Sequence, residues 1–271
     1  MPFSKDGFLG KEAWGLASEI RERQKNLFAL FYEVNRFTEQ TIKEIRVSKS
    51  NPQELISACL FTRVLEGLQA AVILIERGLD LDATVILRGV YEALVYLRLS
   101  CEGKDFVGKY ISKHDIDRLE LLKKIRKDDP ESKIYKIREY TSDESINQII
   151  SELEAKIKNE GIDIEKFKKD FSKRMLAEKA GMEELYKIYY YVTSDSAHTH
   201  PRVLERYVAT DEKGNPLQLN HGPCGENARL SLITAVEFLL SAIAYISTLF
   251  GLNKDTKIKD FHEELVNKHG R

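Results

Sequence analysis

Nine residues carry types and spacings from which chemistry can be built: Arg63, Glu66, Arg88 and Glu92 in one region, and Tyr191, Ser194, His198, His200 and Arg202 in another. Between Leu55 and Ile75, LISACLFTRVLEGLQAAVILI has Arg63 and Glu66 as its only charges. Between Ala83 and Leu97, ATVILRGVYEALVYL has only Arg88 and Glu92. Stretches this apolar on every side are expected to be buried helices, and a buried charge is costly unless paired. Arg63 and Glu66 stand at i,i+3 and Arg88 and Glu92 at i,i+4, each pair on one helix face. A turn near Leu79 would place Glu66 and Glu92 at the same level of a hairpin, so the sequence predicts one buried cluster of two carboxylates and two guanidiniums. Such a cluster is either a neutral network that fixes helix register or the polar floor of a pocket where planar Arg forks grip phosphate or carboxylate. A metal reading for Glu66 and Glu92 is disfavoured, because di-iron bundles use Glu-x-x-His and neither stretch has a His. No metal or cofactor is expected.

The second group lies in YKIYYYVTSDSAHTHPR, which ends a predicted helix. Tyr191, Ser194 and His198 fall at i, i+3 and i+7 on one face, while His200 precedes Pro201 and is expected to be extended. A His near a helix C-terminus has its imidazolium favoured by the macrodipole, which suits proton transfer near neutral pH. Metal-independent cleavage of RNA needs a base for the 2′-hydroxyl, an acid for the leaving oxygen and a cation for the phosphorane charge. His198 with Arg63 or Arg88 would supply those roles, Glu66 and Glu92 would belong to the catalytic site with them as the polar floor of the pocket, and Tyr191, Ser194, His200 and Arg202 would hold the substrate phosphate. The plainer alternatives are a capping or surface His and a Tyr run that belongs to the core. His-x-His with Glu66 or Glu92 is a weak metal signal. Ser194 and Ser196 lack a Gly-x-Ser-x-Gly elbow, and neither a P-loop nor a Gly-x-Gly-x-x-Gly fingerprint occurs.

The elements that must position these residues are helices. Charged residues at 31% beside 42% hydrophobic ones, with only 15 Gly and 6 Pro in 271 residues, suit amphipathic helices and exclude strand-rich and disordered classes. Apolar periodicity predicts one helix from Lys11 to about Ile45. Pro52 opens a second, which Gly78 stops; Asp80 or Asp82 caps a third, reaching about Cys101, and the short link makes an antiparallel hairpin. From about 103 to 181 charged residues dominate, and Pro130, Gly161 and Gly181 punctuate a peripheral helical arm. Helix resumes over Glu183–Ala197. ERYVATDEKGNPLQLNHGP then predicts a small β-hairpin or extended loop at about 203–222. Pro223 leads into an apolar helix ending at Gly251, and a polar helix follows from about Asp255. The expected architecture is all-α: a single helical domain over 1–271, with core helices at about 11–101 and 182–251.

Lys and Arg number 42 against 43 Asp and Glu, a net charge of −1, so no global field draws the chain to nucleic acid or anionic lipid. Any polyanion site must be local. The arm segments KKIRKDDPESKIYKIREY and EKFKKDFSKRM interleave cations with Tyr and Phe, as an RNA-tracking surface does, although neighbouring acids nearly cancel them. They read either as a solvated face or as a contact for RNA or a protein partner. Cys59, Cys101 and Cys224 are odd in number and widely spaced, which fits free thiols in a reducing compartment. The start carries no signal-peptide pattern, so the cytoplasm is expected. The apolar stretch Leu230–Gly251 is long enough to cross a bilayer, but Glu237 and its Ser and Thr residues favour a buried bundle helix, and no membrane contact is expected.

Arg63-x-x-Glu66, LRGVYEAL with Arg88 and Glu92, and Tyr191-x-x-Ser194-x-x-x-His198 followed by Pro201 and an extended turn resemble a widespread bacterial helical family of unknown function, over roughly Leu55 to Phe250. That family looks distantly similar to HEPN domains, helical bundles that often act as metal-independent ribonucleases in toxin and antiphage systems. HEPN enzymes carry Arg-x(4 to 6)-His, usually assembled across a dimer. Here only His198 matches, since Tyr-Val-Thr-Ser-Asp-Ser-Ala precedes it, and the Arg would come from Arg63 or Arg88. The resemblance implies a cytoplasmic homodimer that acts on RNA in a stress or defence system. The alternative is a non-catalytic binding or regulatory module whose Arg-Glu cluster is structural.

Overall fold

The computed structural model describes residues 9–128, 143–187, 201–219 and 222–270. The first helices are α1 (Glu12–Arg23), α2 (Lys25–Glu44), α3 (Pro52–Glu76), α4 (Asp80–Glu102) and α5 (Lys104–Asp128). They are followed by α6 (Asp143–Asn159), α7 (Ile164–Asp170), α8 (Lys173–Lys179) and, past a helical stretch at 183–187, the short α9 (Pro201–Leu204). A 3₁₀ turn at Glu205–Tyr207 leads to β1 (Val208–Thr210) and β2 (Pro216–Leu219), and the chain closes with α10 (Ala228–Phe250) and α11 (Asp255–His269). The class is all-α with one small hairpin, as the composition predicts. Two compact units divide the chain, Met1–Glu102 with Ala177–Arg271, and Gly103–Leu176.

In the first unit the predicted single helix over Lys11–Ile45 is two helices, broken at Gln24, where φ is −111° and ψ 21°. The break costs little. Gln24 still donates its N–H to Ile20 O and still accepts from Phe28 N–H, both at 3.0 Å, and it sits in a polar run between Ile20 and Leu27, each 1% exposed. Asn51 caps α3 by accepting from Gln53 N–H at 3.2 Å, with Pro52 at the first turn. Gly78, at φ +72°, ends that helix in a conformation that side chains resist.

The hairpin of α3 and α4 closes tightly at Gly67, where a Cβ would stand 2.5 Å from Val90 Cγ2. Its open end is tied by uncharged groups. Gln53 Nε2 donates to the carbonyls of Ser100 (2.8 Å) and Cys101 (3.2 Å), and Ser57 Oγ donates to Ser100 Oγ at 2.8 Å, all in the interior. These bonds also satisfy carbonyls that the last turn of α4 leaves without helical partners.

Against this hairpin packs α10, whose residues Leu232, Ala235, Val236, Leu239, Ala242, Ile243 and Ile246 have no exposure. It begins at Ala228 rather than directly after Pro223, because residues before it form a clasp on the hairpin turn. Cys224 N–H donates to Gly78 O at 2.7 Å, and Asn227 N–H donates to Asp80 Oδ2 at 3.0 Å. The Asp80 side chain is therefore committed to this loop rather than to capping α4. Gly251 ends α10 at φ +64°, as predicted. α11 then returns along α2 and α10, with Phe37 and Phe261 ring centroids 5.7 Å apart and Lys254 Nζ 2.7 Å from Glu44. Both α3 and α10 are long and apolar enough to cross a membrane, and much of each is packed inside this unit.

The hairpin strands pair Val208 with Leu219 and Ala209 with Gln218, with a bulge before Thr210. Asp211 closes the turn by accepting from the N–H groups of Lys213 and Asn215.

The second unit has its own core of Ile116, Leu119, Leu122, Ile146, Ile150, Leu153 and Ile157, flanked by Ile149, Ile162, Ile164 and Phe167. The seven core residues sit at helical spacing on α5 and α6, so a region dominated by charge in the sequence still folds around an apolar seam.

Candidate functional site

Of the predicted four-charge cluster, one pair forms as expected. Arg88 Nε lies 3.7 Å from Glu92 Oε1 on one face of α4, with side chains 14% and 27% exposed. Arg63 and Glu66 do not join them in the interior; both are exposed on the outer side of α3. The expectation failed because α3 is apolar all round without being buried all round. Gly67 and Val64 turn toward the hairpin and bundle, which sends Arg63 and Glu66 outward beside Leu55 and Ile73, themselves 52% and 59% exposed. A buried four-charge network is thus absent, and the interior bonds of Gln53, Ser57 and Ser100 hold the hairpin end instead.

Next to Glu92 in the chain and turned toward the core, Tyr91 is 4% exposed and donates its hydroxyl to Met182 O at 2.9 Å. Burial, followed by the neighbouring Tyr186 and Glu92, raises its phenol far above the ordinary range, so it stays a neutral donor. Its ring lies 6.1 Å from that of Phe238. Residues 183–187 are therefore fastened next to the Arg88–Glu92 turn of α4. Tyr191, Ser194, His198 and His200 lie outside the described residues, as does the side chain of Arg202, whose backbone is in the first turn of α9. The extended conformation expected at His200 lies there too.

Asp80 was read from the sequence only as a helix cap. It is 2% exposed, its Oδ1 has no hydrogen-bond partner among the described residues, and burial raises its carboxyl above the ordinary value despite the Asn227 bond and the nearby Arg206. The signal that was available is an Asp two residues after the Gly that ends α3, opposite a Gly- and Pro-containing segment. Among the thiols, Cys101 is pushed up to about 11 by burial, against the opposing hydrogen bonds of Ser57 and Ser100, which leaves it unreactive at neutral pH.

In the charged arm the aromatic residues of EKFKKDFSKRM turn inward. Phe167 and Phe171 stack at 5.2 Å, and Phe171 stacks on Phe106 at 5.6 Å. Lys168 pairs with both Glu120 and Glu165, and Lys156 Nζ lies 2.6 Å from Asp115. These Phe rings are not available to stack bases, and these cations are matched by acids; KKIRKDDPESKIYKIREY lies mostly outside the described residues. Among the described residues no group of three or more His, Cys, Asp or Glu is arranged to hold a metal ion.

These features define an all-helical protein built on an antiparallel helix hairpin, with one half-buried Arg–Glu pair near the middle of its second helix. Residues 54–215 match the Family of unknown function (DUF5677), and the chain belongs to that family. The match takes in nearly all of both helices of the helix hairpin, the Tyr-Ser-His segment, and β1 with its turn but not β2. No curated protein and no solved structure matched the chain.

Proposed function

We propose that the chain is a HEPN-like, metal-independent ribonuclease of a bacterial stress or antiphage defence system, working in the cytoplasm as a homodimer. The observation that carries this reading is the Arg88–Glu92 pair. A guanidinium 14% exposed with a carboxylate at 3.7 Å supports a role in meeting phosphate, and it lies on the helix to which residues 183–187, just ahead of the Tyr-Ser-His segment, are fastened through Met182. In this scheme His198 removes the proton of the ribose 2′-hydroxyl, and the 2′-oxygen forms a bond to phosphorus. The bond from phosphorus to the 5′-oxygen breaks, that oxygen takes the proton back from the His198 imidazolium, and a 2′,3′-cyclic phosphate remains. Arg88 offsets the charge that gathers on the phosphorane. Tyr191, Ser194, His200 and Arg202 hold the phosphate, and a second copy brings a second His198. Purified protein should cleave RNA in the presence of EDTA, and His198→Ala should abolish cleavage; undiminished cleavage by that variant would remove the mechanism.

The exposure of Arg63 and Glu66 favours a second reading, in which the family is a non-catalytic binding or regulatory module and the remaining Arg88–Glu92 pair is structural. That reading expects no RNA cleavage by the wild-type chain and a loss of stability, rather than of activity, in Arg88→Ala.

A further inference from the structure

A cleft of about 600 Å³ opens in the first unit between the second half of α4, α10, α11 and the turn at Gly181. Tyr91 faces Phe238 and Arg98 faces Tyr245, steps of seven residues on each helix, so α4 and α10 run parallel and in step along it. The short link after Gly251 makes α11 antiparallel to α10, which brings Lys259 and His262 to the level of Tyr245. Glu237 lies eight residues below Tyr245, about 12 Å away at 1.5 Å per residue. Arg98 and Lys259, with the His262 ring, therefore stand at one end, Arg98 paired with Glu102, Lys259 3.6 Å from Glu263, and Asp255 also on the lining. Leu94, Met182, Leu185 and Phe238 supply the apolar wall between that end and Glu237.

Arg98 is already set in place for a ligand. Its Nε donates to Glu102 Oε1 at 2.9 Å, and its guanidinium stands 5.5 Å from the Tyr245 ring centroid. The two terminal nitrogens lie 3.6 and 3.7 Å from where a Cβ of residue 181 would be, so Gly181, at φ +60°, leaves room for one side of the guanidinium, which also interacts with the Tyr245 side chain. A guanidinium held by Glu102 and Tyr245 and still 32% exposed beside an apolar wall loses little freedom on meeting the oxygens of one anion.

We propose that this cleft binds a small anion with an aromatic or apolar body, its phosphate or carboxylate on the Arg98 fork and its body along Leu94, Met182 and Phe238. The test is titration calorimetry of the full chain with phenyl phosphate, alongside inorganic phosphate and benzyl alcohol. Wild type should bind phenyl phosphate saturably and more tightly than either half-probe. Arg98→Met should weaken phenyl phosphate about tenfold or more while leaving benzyl alcohol unchanged, and Lys259→Gln, at an exposed position, should weaken it severalfold. Absence of saturable binding at millimolar phenyl phosphate would overturn the proposal, as would undiminished affinity in a folded Arg98→Met or, should that variant not fold, in Lys259→Gln. The proposal does not rest on the RNA chemistry, so either result leaves the His198 experiment independent.

Discussion

A carboxylate that is 2% exposed, with one oxygen unpartnered among the described residues, is a cost the chain carries at Asp80. Desolvation raises its pKa above the ordinary 3.8, outweighing the Asn227 hydrogen bond and Arg206, with Glu226 adding to the rise. Between the ordinary value and the raised one, the folded chain holds a proton that the unfolded chain has released. Asp80 therefore favours the folded state most below pH 3.8, and that contribution is lost as pH rises through the folded pKa. Asp80→Asn keeps an oxygen for Asn227 N–H and removes the charge. The variant should gain thermal stability relative to wild type as pH is raised from about 4 to 8, read as a widening difference in Tm; a constant difference would contradict the burial argument. The interior bonds of Gln53 make the opposite case, since its partners are left unsatisfied when it is removed. Gln53→Ala should cost about 1–3 kcal/mol in urea unfolding, whereas the double variant Arg63→Ala/Glu66→Ala should change stability by no more than about 0.5 kcal/mol, as exposed side chains do. An equal cost for both would mean that the charged pair on α3 is structural after all.

Among the elements, the α3–α4 hairpin decides where the candidate site lies, and its closest approach is at Gly67. A methyl group there would stand 2.5 Å from Val90 Cγ2, and a β-branched side chain in a helix has little rotamer freedom with which to yield. Gly67→Ala should therefore destabilise by about 1–3 kcal/mol in spite of its better helix propensity. Adding Val90→Ala should recover part of that loss, so that the double variant is less destabilised than the sum of the singles; strict additivity in denaturant unfolding would show that the helices do not meet there. The same approach explains why the charge pattern misled. Apolar content alone identified both helices and their ends at Pro52 and Gly78, because those depend on local backbone preferences. It could not tell which face of α3 would turn outward, since Leu55 and Ile73 are as apolar as the buried Val64 and Leu68. Only the single glycine at 67 marks the contact side. In α4, where the apolar face is continuous around Tyr91 and Leu94, Arg88 and Glu92 came out half-buried and paired, as their spacing predicts.

For the whole molecule, helical class, the small hairpin near Lys213–Asn215 and the Gly251 stop were all legible, because periodicity and turn residues act locally. Two features were not. The break at Gln24 interrupts an otherwise continuous apolar stripe, and the clasp of Cys224 and Asn227 on Gly78 and Asp80 joins residues far apart in the chain. The second unit shows that a region reading as charged surface also holds a full apolar core, its Phe residues turned inward and its lysines matched by acids. RNA chemistry, on this account, rests on Arg88 and His198 rather than on the arm. The most direct measurement is cleavage of a single-stranded RNA in EDTA by wild type, Arg88→Lys and His198→Ala, with product ends identified by mass and folding checked by circular dichroism. The account predicts 2′,3′-cyclic phosphate ends from wild type, a loss of at least about a hundredfold in rate for Arg88→Lys because the planar fork is gone, and none of the product from His198→Ala. Cleavage at wild-type rate by either folded variant, or no cleavage by wild type, would contradict it.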